Sequence, residues 1–262
     1  MTNNLTTKTD LTTHALCVAK IAAKTARGYF RGKLGVEFKA DESPVTQADK
    51  AVEADVRAYL RTHFPDHGIF GEEQGVEGAD CAEQWIVDPI DGTRSFLSGH
   101  PLFGFLLAHM RKGQVDLGVI GMPALDEVFV GTAWGGATLN GAPIRVSGTT
   151  RLRDAVLYVN EGDKIHDRHS ALFARLMQQG QTRRFAYDCY PHALLAAGHV
   201  DAVVDYDLQP YDFLPVQAVV EAAGGVITDW AGQPLTLQSD GSVIAAATRA
   251  LHAELLEIVR AG

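Results

Sequence analysis

Apolar and alanine positions recur every three to four residues near the start of the chain. This spacing predicts a first helix over residues 11–29, with Asp10 or Thr12 as its capping residue. The apolar face of this helix is expected at Leu16, Ala19, Ala23, Ala26 and Phe30.

The same periodicity returns after a polar stretch. It predicts a second helix from residue 48 to about residue 64, because Pro65 cannot continue a helix. The intervening segment 41–47 is predicted to be a loop. Asp49 therefore falls at a helix N-terminus.

Short apolar runs between turn residues follow and predict strands. These strands are expected at 84–87, 103–110, 115–122 and 127–131. Because short turns join the last three, they predict an antiparallel meander. Asn140-Gly141 is a strong hairpin signal ahead of a strand at 144–146.

Beyond residue 147 strands and helices alternate, which is typical of an α/β arrangement. Strands are predicted at 155–159, 183–186, 202–205, 226–229 and 243–247, and helices near 170–179, 190–197, 212–223 and up to 259. We therefore expect an N-terminal α+β half over 11–147 and a C-terminal α/β half over 148–262. No Pro/Gly/Ser linker separates the halves, so one tightly packed unit is expected.

Composition and charge narrow the class of protein. Of 262 residues, 46% are hydrophobic and 21% charged, which is typical of a folded globular protein. The formal net charge of −9 disfavours binding to nucleic acid and to anionic membranes. A protein this acidic would bind a phosphorylated metabolite only if bound cations reverse the local field.

The cysteines and the N-terminus bear on the compartment. Cys17, Cys81 and Cys189 lie far apart, form no CxxC pair and are odd in number, which favours a reducing compartment. Residues 1–10 are polar and lack the apolar core of a signal peptide, and no run approaches the length of a membrane span. A cytoplasmic protein is expected.

Four carboxylates stand at the ends of predicted elements, in mostly apolar surroundings. They are Glu72, Asp88, Asp91 and Asp212. Carboxylates in such surroundings are costly to ionise unless a hard divalent cation offsets their charge, and such cations prefer oxygen ligands. The pattern predicts a magnesium site.

The segment Asp-Pro-Ile-Asp-Gly-Thr carries the densest chemistry. Asp88 and Asp91 are three residues apart and can converge on one ion, to which the Ile90 carbonyl adds an oxygen. Gly92 allows close approach of the backbone to a ligand. A helix that begins near Thr93 would point unpaired N–H groups at the same place, which is a phosphate site.

Each feature also has an ordinary interpretation. The Asp-Gly turn is common after a strand, with Thr93 as a helix cap. Glu72 alone would be an exposed loop carboxylate, and Asp212 alone would be a helix N-cap. These interpretations do not predict that all of these carboxylates occur together with Asp49.

The joint pattern resembles the inositol monophosphatase family. The segments that carry it are SPVTQAD (43–49), GEE (71–73), WIVDPIDGT (85–93) and PYDFLPVQAVVEAAGG (210–225). The resemblance implies a layered αβαβα sandwich of the inositol monophosphatase and fructose-bisphosphatase type. It also implies a phosphatase that uses two or three Mg²⁺ ions and is commonly a homodimer.

Carried over position by position, the resemblance assigns roles. It makes Glu72, Asp88 and the Ile90 carbonyl ligands of one ion, and Asp88, Asp91 and Asp212 ligands of a second. It also makes Asp49, Thr93 and Glu72 the catalytic residues, of which Asp49 and Thr93 would orient the attacking water. Asp91 and the amides of Gly92 and Thr93 would contact the substrate and its phosphate.

The substrate is suggested by a more local resemblance. The segments DGTRSFLSGHPLFG (91–104) and YDCY (187–190) resemble the histidinol-phosphate phosphatase branch. Histidinol phosphate carries an amine and an imidazole, which extra carboxylates at Asp188 and Asp205 would suit; their ordinary interpretations are a helix cap and a solvated strand end. Asp207, Gln209 and His192 depart from that branch near the pocket for the leaving group.

Other functions remain open at this stage. The same metals would serve inositol phosphates, 3′-phosphoadenosine nucleotides or fructose 1,6-bisphosphate. A non-catalytic partner of the transcription machinery is a third possibility, although Asp49 and Thr93 are both present. The ten histidines show no HExxH or closely spaced zinc motif, so they are predicted to be surface or packing residues.

Overall fold

A computed structural model of the protein describes residues 8–32, 36–38 and 44–261. The helices are α1 Lys8–Tyr29, α2 Gln47–His63, α3 Thr93–Leu97, α4 Gly162–Arg168, α5 Ser170–Leu176, α6 Tyr190–Ala196, α7 Pro210–Ala222 and α8 Arg249–Arg260. The first ten strands are β1 Val36–Phe38, β2 Pro44–Thr46, β3 Gly68–Gly71, β4 Gly75–Glu77, β5 Glu83–Asp91, β6 Gly104–Arg111, β7 Gln114–Met122, β8 Glu127–Thr132, β9 Gly136–Leu139 and β10 Ala142–Ile144. The remaining strands are β11 Val156–Asn160, β12 Thr182–Ala186, β13 Ala202–Asp205, β14 Val226–Thr228 and β15 Val243–Ala246.

Two large sheets define the architecture. The eight-stranded sheet has the order β10-β9-β8-β7-β6-β5-β3-β4, in which only β3 and β5 pair in parallel. The five-stranded sheet has the order β12-β11-β13-β15-β14, with β11 parallel to both of its neighbours. A small pair, β1 and β2, stands apart.

Three apolar clusters show how the layers stack. One joins α1 and α2 to the outer face of the eight-stranded sheet. The second lies between the two sheets and includes α6 and α7, and the third joins α4, α5 and α8 to the far face of the five-stranded sheet. The layers therefore run helix, sheet, helix, sheet, helix, which confirms the predicted αβαβα sandwich.

Helix α7 packs closely on the eight-stranded sheet because the sheet offers no side chain at one contact. A Cβ added at Gly118 of β7 would lie 2.3 Å from the carbonyl oxygen of Pro215 in α7. Any larger residue at position 118 would push the helix away from the sheet. The position of α7 matters because Asp212 lies in its first turn.

Most predicted elements are present within a residue or two, including the meander β6–β8 and the Asn140-Gly141 turn between β9 and β10. The predicted loop 41–47 is wrong in part, because Pro44–Thr46 forms β2 and residues 41–43 lie outside the described residues. The capping prediction for α1 is also wrong, since the helix already contains Asp10 and Thr12.

The expected buried face of α1 is confirmed at Ala19 and Ala26 and is wrong at Leu16. Leu16 is 36% exposed, whereas the helix buries Leu11, Ala15 and Val18. The small residues Ala19, Ala22 and Ala26 continue this buried stripe. The alanine-rich sequence allowed two similar stripes, and packing against α2 selected one of them.

Strands β3 and β4 and helix α4 were not predicted. The division of the chain near residue 147 stays a prediction. All three cysteines carry free thiols. Within the described ranges, no helix has the length and apolar character needed to cross a bilayer.

Candidate active site

The predicted site residues gather at a cleft of about 510 Å³ where strands of both sheets end. Glu72 follows β3, the pair Asp88 and Asp91 ends β5, and Asp205 ends β13. The lining includes Glu72, Asp88, Ile90, Asp91, Gly92, Thr93, Arg94, Glu161, Lys164, Arg168, Asp188, Asp205, Asp207, Tyr211 and Asp212. Of the predicted site residues only Asp49 is absent from this lining.

An irregularity in β5 brings two of the carboxylates together. Asp88 pairs with Leu106 and Asp91 pairs with Gly104, so β5 advances three residues while β6 advances two. The extra residue is a bulge, which re-aims side chains at the end of a strand. The Ile90 N–H donates to Asp88 Oδ1 at 3.0 Å, which fixes the turn.

Three carboxylates face one another in the cleft. Asp88, Asp91 and Asp212 each offer an oxygen, and these oxygens lie within 4.8 Å of one another. Burial raises the pKa of Asp88 well above its ordinary value, and the charges of Glu72 and Asp91 add to this effect. The pKa of Asp91 is also raised, first by burial and then by the charges of Asp188 and Asp212.

Asp212 lies in the first turn of α7 without being its N-cap. The N-cap is Gln209, whose N–H donates to Asp212 Oδ2 at 2.7 Å. Burial raises the pKa of Asp212 to about 7. Its ordinary interpretation as an N-cap is therefore wrong, and the capping contact leaves the carboxylate facing the cleft.

The trio of carboxylates fits a divalent metal ion. Oxygen donors of this type and number are what Mg²⁺ binds, and a cation among them would offset the repulsion that raises their pKa values. Glu72 lies near enough for its charge to act on Asp88 and Asp212. Asp88, Asp212 and Glu72 all belong to the predicted ligand set.

Asp49 and Thr93 form a hydrogen-bonded pair behind the cleft wall. The Thr93 hydroxyl donates to Asp49 Oδ1 at 3.1 Å. Asp49 is fully buried, and its other oxygen accepts from the N–H of Thr46 at 2.9 Å and from the Thr46 hydroxyl. Burial raises the pKa of Asp49, while these hydrogen bonds oppose the rise.

Gly92 allows the backbone to turn from β5 into α3. Its φ of 83° lies in the left-handed region, and an added Cβ would lie 2.4 Å from Cγ of Asp188. Helix α3 begins at Thr93, as predicted, and has only five residues. Its first N–H groups lack intrahelical acceptors and are available to an anion, while so short a helix adds little dipole.

Asp188 stands beside these elements in a strained conformation. Its φ is 61°, and its Oδ2 accepts a hydrogen bond from the Ser95 hydroxyl at 2.5 Å. Burial raises the pKa of Asp188 to about 6, with further contributions from the charges of Glu161 and Asp205. The N–H of Cys189 donates to Asp91 Oδ2 at 2.5 Å and links the two carboxylates.

Asp205 lines the cleft but is 2% exposed, so it is no solvated strand end. Its carboxylate accepts from Asn160 Nδ2 at 2.8 Å and from the N–H of Tyr206 at 2.9 Å. His192 Nε2 lies 3.0 Å from the same carboxylate. Three neighbours therefore hold Asp205 in place.

Glu161 lines the cleft and was not among the predicted site residues. It caps α4 with a φ of 45°, and burial raises its pKa. Lys164 Nζ lies 2.9 Å from Glu161 and 3.1 Å from Asp207, and Arg168 lies 3.3 Å from Asp207. The available signal was its position just after a predicted strand, because ligands bind at the carboxyl ends of such strands.

Comparison with known proteins identifies the family of this chain. The profile of the inositol monophosphatase family matches residues 7–262. Bifunctional phosphatase IMPL2, a chloroplastic protein of Arabidopsis thaliana, is 37% identical over 251 residues, which cover 92% of this chain and 72% of that protein. Histidinol-phosphatase of Chlorobaculum parvum is 37% identical over 235 residues, covering 88% of this chain and 90% of that protein.

A solved structure agrees as well. An inositol monophosphatase from Zymomonas mobilis has a TM-score of 0.85 and 36% identity, with coverage of 94% of this chain and 96% of that chain. The layered fold and the relatives together define a phosphatase that acts on small phosphorylated substrates. The chain belongs to the inositol monophosphatase family, whose members are metal-dependent.

Proposed function

We propose that this protein is a Mg²⁺-dependent phosphomonoesterase whose preferred substrate is histidinol phosphate, which it hydrolyses to histidinol and phosphate. Glu72, Asp88, Asp91, Asp212 and the Ile90 carbonyl would hold two or three Mg²⁺ ions. When bound, these ions would activate water, neutralise the phosphate and stabilise the leaving alkoxide.

The pair formed by Asp49 and Thr93 is suited to orient water. Thr93 donates its hydroxyl hydrogen to Asp49, so its oxygen keeps lone pairs that accept a hydrogen bond from water. Burial raises the pKa of Asp49 and makes its carboxylate a better proton acceptor. Glu72, which lines the same cleft, would share this task.

The backbone that follows β5 is suited to bind the phosphate. Gly92 turns the chain without a side chain, and the amides of Gly92 and Thr93 precede the first turn of α3. These amides would donate to phosphate oxygens while Asp91 contacts the ester.

One observation carries the choice of substrate: buried carboxylates continue beyond the predicted metal ligands. Burial raises the pKa of Asp188 to about 6, and the nearby charges of Glu161 and Asp205 add to the rise while Arg94 opposes it. In the described part of the chain Asp188 makes no ion pair, whereas Glu161 already pairs with Lys164. An amine or imidazolium at this place would relieve the repulsion, and a neutral polyol would not.

The comparisons do not distinguish histidinol phosphate from inositol 1-phosphate as the substrate. Identity is 37% with the histidinol-phosphatase and 36% with the inositol monophosphatase. Inositol 1-phosphate is therefore the second candidate, and a cytoplasmic homodimer remains part of the proposal. The charge of the cleft, rather than identity, favours histidinol phosphate.

Steady-state kinetics with Mg²⁺ on a panel of esters tests the proposal. The panel contains histidinol phosphate, inositol 1-phosphate, 3′-phosphoadenosine 5′-phosphate and fructose 1,6-bisphosphate. We expect the highest kcat/KM for histidinol phosphate. A higher value for inositol 1-phosphate would reject the choice of substrate, and no Mg²⁺-dependent hydrolysis of any ester would reject the chemistry.

The variant Asp188→Asn separates recognition from chemistry. Loss of a charged hydrogen bond of about 1.5 to 3 kcal/mol should raise KM for histidinol phosphate about 10- to 100-fold. KM for inositol 1-phosphate should change little. The control Asp80→Asn removes an exposed aspartate and should leave both values unchanged. An equal loss on both substrates would contradict a role in recognition.

A further inference from the structure

A second group of ligand-type side chains lies at the other end of the eight-stranded sheet. His67 directly precedes β3, Glu83 opens β5 and His109 lies in β6. Glu83 and Asp88 are five positions apart on one strand, so this group is about 16 Å from the cleft. Neither the predicted function nor the family comparison uses these residues.

The spacing of the three side chains is that of ligands around one ion. His67 Nε2 lies 3.4 Å and His109 Nε2 lies 3.3 Å from Glu83 Oε2. All three ligand atoms are within 4.8 Å of one another. With Zn–N bonds of about 2.0 to 2.1 Å, the corners of a tetrahedron are about 3.3 Å apart.

The buried nitrogen of His109 points to a missing partner. The His109 side chain is fully buried, and its Nε2 makes no hydrogen bond although it faces this group. An unpaired buried polar atom costs free energy, which binding to a metal would recover.

The opposite nitrogen of His109 is already oriented. Its Nδ1 lies 2.7 Å from Asp116 Oδ1. In the tautomer with its hydrogen on Nδ1, that carboxylate accepts the hydrogen and Nε2 keeps its lone pair for a metal. Asp116 reaches this position because it is the extra residue of a bulge, between the pairs His109 with Leu117 and Met110 with Val115. A carboxylate behind a histidine is the usual support of a zinc ligand.

The surrounding charges favour a cation. Glu83, Asp116 and Asp66 contribute negative charge around the histidines. Arg111 opposes this charge, because its Nη2 donates to Glu83 Oε2 at 3.4 Å and its Nε lies 3.9 Å from Asp116 Oδ2. Burial lowers the pKa of His67, while the charges of Glu83 and Asp66 oppose this shift. His67 is 12% and Glu83 is 26% exposed, which leaves a path for an ion.

We propose that His67, Glu83 and His109 bind one Zn²⁺ ion, with Asp116 as the positioning residue of His109 and water as the fourth ligand. The ion would tie the start of β3 and β5 to the end of β6. This role is structural, and it is separate from the oxygen-only site in the cleft. It does not depend on the proposed substrate.

Metal titration of the full-length protein tests the site. Excess Mg²⁺ is present throughout so that it competes for the cleft carboxylates. Equilibrium dialysis with Zn²⁺ should give one more bound ion per chain for the wild type than for His67→Gln. Co²⁺ in place of Zn²⁺ should give the strong visible absorption of tetrahedral coordination, and His67→Gln should lose it.

Matched variants separate binding from folding. The control His199→Gln removes an exposed histidine and should bind like the wild type. Glu83→Gln changes a partly exposed ligand and should also lose the extra Zn²⁺ ion; it replaces His67→Gln if that variant fails to fold. Asp116→Asn should keep the stoichiometry but weaken Zn²⁺ binding about 10- to 100-fold. Equal Zn²⁺ stoichiometry in the wild type and His67→Gln, or a Co²⁺ spectrum without tetrahedral bands, would overturn the proposal.

Discussion

Replacing Asp212 by asparagine should stabilise the metal-free protein. Burial raises the pKa of this carboxyl from 3.8 to about 7. At about 1.4 kcal/mol for each pH unit, its ionisation in the folded protein costs about 4 kcal/mol relative to the unfolded chain. Asparagine carries no charge and keeps an oxygen for the Gln209 N–H, which donates from 2.7 Å. We therefore expect a gain in the free energy of unfolding of up to about 4 kcal/mol above about pH 7.

The gain should depend on pH in a defined direction. Below about pH 4 the carboxyl is protonated in both states, and the substitution changes little. Between about pH 4 and pH 7 only the unfolded chain releases the proton, so wild-type stability falls as the pH rises. Above about pH 7 both states are ionised and the loss is complete. The gain should be about twice as large at pH 8 as at pH 5.5.

Urea unfolding in EDTA, followed by tryptophan fluorescence at both pH values, measures this gain. Asp80→Asn is the matched control and should change the free energy of unfolding by less than about 0.5 kcal/mol. Added Mg²⁺ should stabilise the wild type more than Asp212→Asn, which lacks a proposed ligand. A variant no more stable than the wild type at pH 8, or a gain equal at both pH values, would refute the reasoning.

Three further substitutions test other parts of the molecule. Gly92→Ala should remove most Mg²⁺-dependent activity in a phosphate-release assay. The φ of Gly92 is 83°, and the new Cβ would collide with Asp188. Normal turnover would contradict this close approach. Glu53→Ala should lower the free energy of urea unfolding by about 3 to 5 kcal/mol, because the buried Arg57 would lose the carboxylate 2.8 Å away. A loss below about 1 kcal/mol would contradict a stabilising ion pair between Glu53 and Arg57. Asp49→Asn should reduce kcat about 10²- to 10⁴-fold in steady-state kinetics. A change confined to KM would argue against its role in orienting water.

Local patterns predicted most of the fold because each reports which side of an element is buried. The apolar runs of β6, β7 and β8, joined by short turns, predicted the meander, and Asn140-Gly141 predicted the hairpin that follows. Strands β3 and β4 escaped prediction because three or four residues carry too little periodicity. Leu16 was wrongly assigned to the buried face of α1 because the many alanines of this helix fit more than one face.

The candidate site was also predictable from the sequence only in part. Proline, glycine and capping signals placed Asp88, Asp91 and Asp212 at element ends, since such signals act within a few residues. That the carboxylates of residues 88 and 212 meet within 4.8 Å depends on the β5 bulge and on the packing of α7 between the sheets. Glu161 follows a predicted strand, but the sequence does not tell which cleft that strand end faces; tertiary structure brings it to this one.

By itself the sequence determined most elements and the carboxylate motif, because helix periodicity, turn residues and motif spacing are local properties of the chain. The layered fold class came from the resemblance of its motifs to the inositol monophosphatase family. Only the tertiary structure decided which distant side chains share a site. Glu83 and His109 are 26 positions apart with no motif between them, yet sheet register places their ligand atoms 3.3 Å from one another. Register and packing are long-range properties, and they bring His67 and Asp116 to the same place.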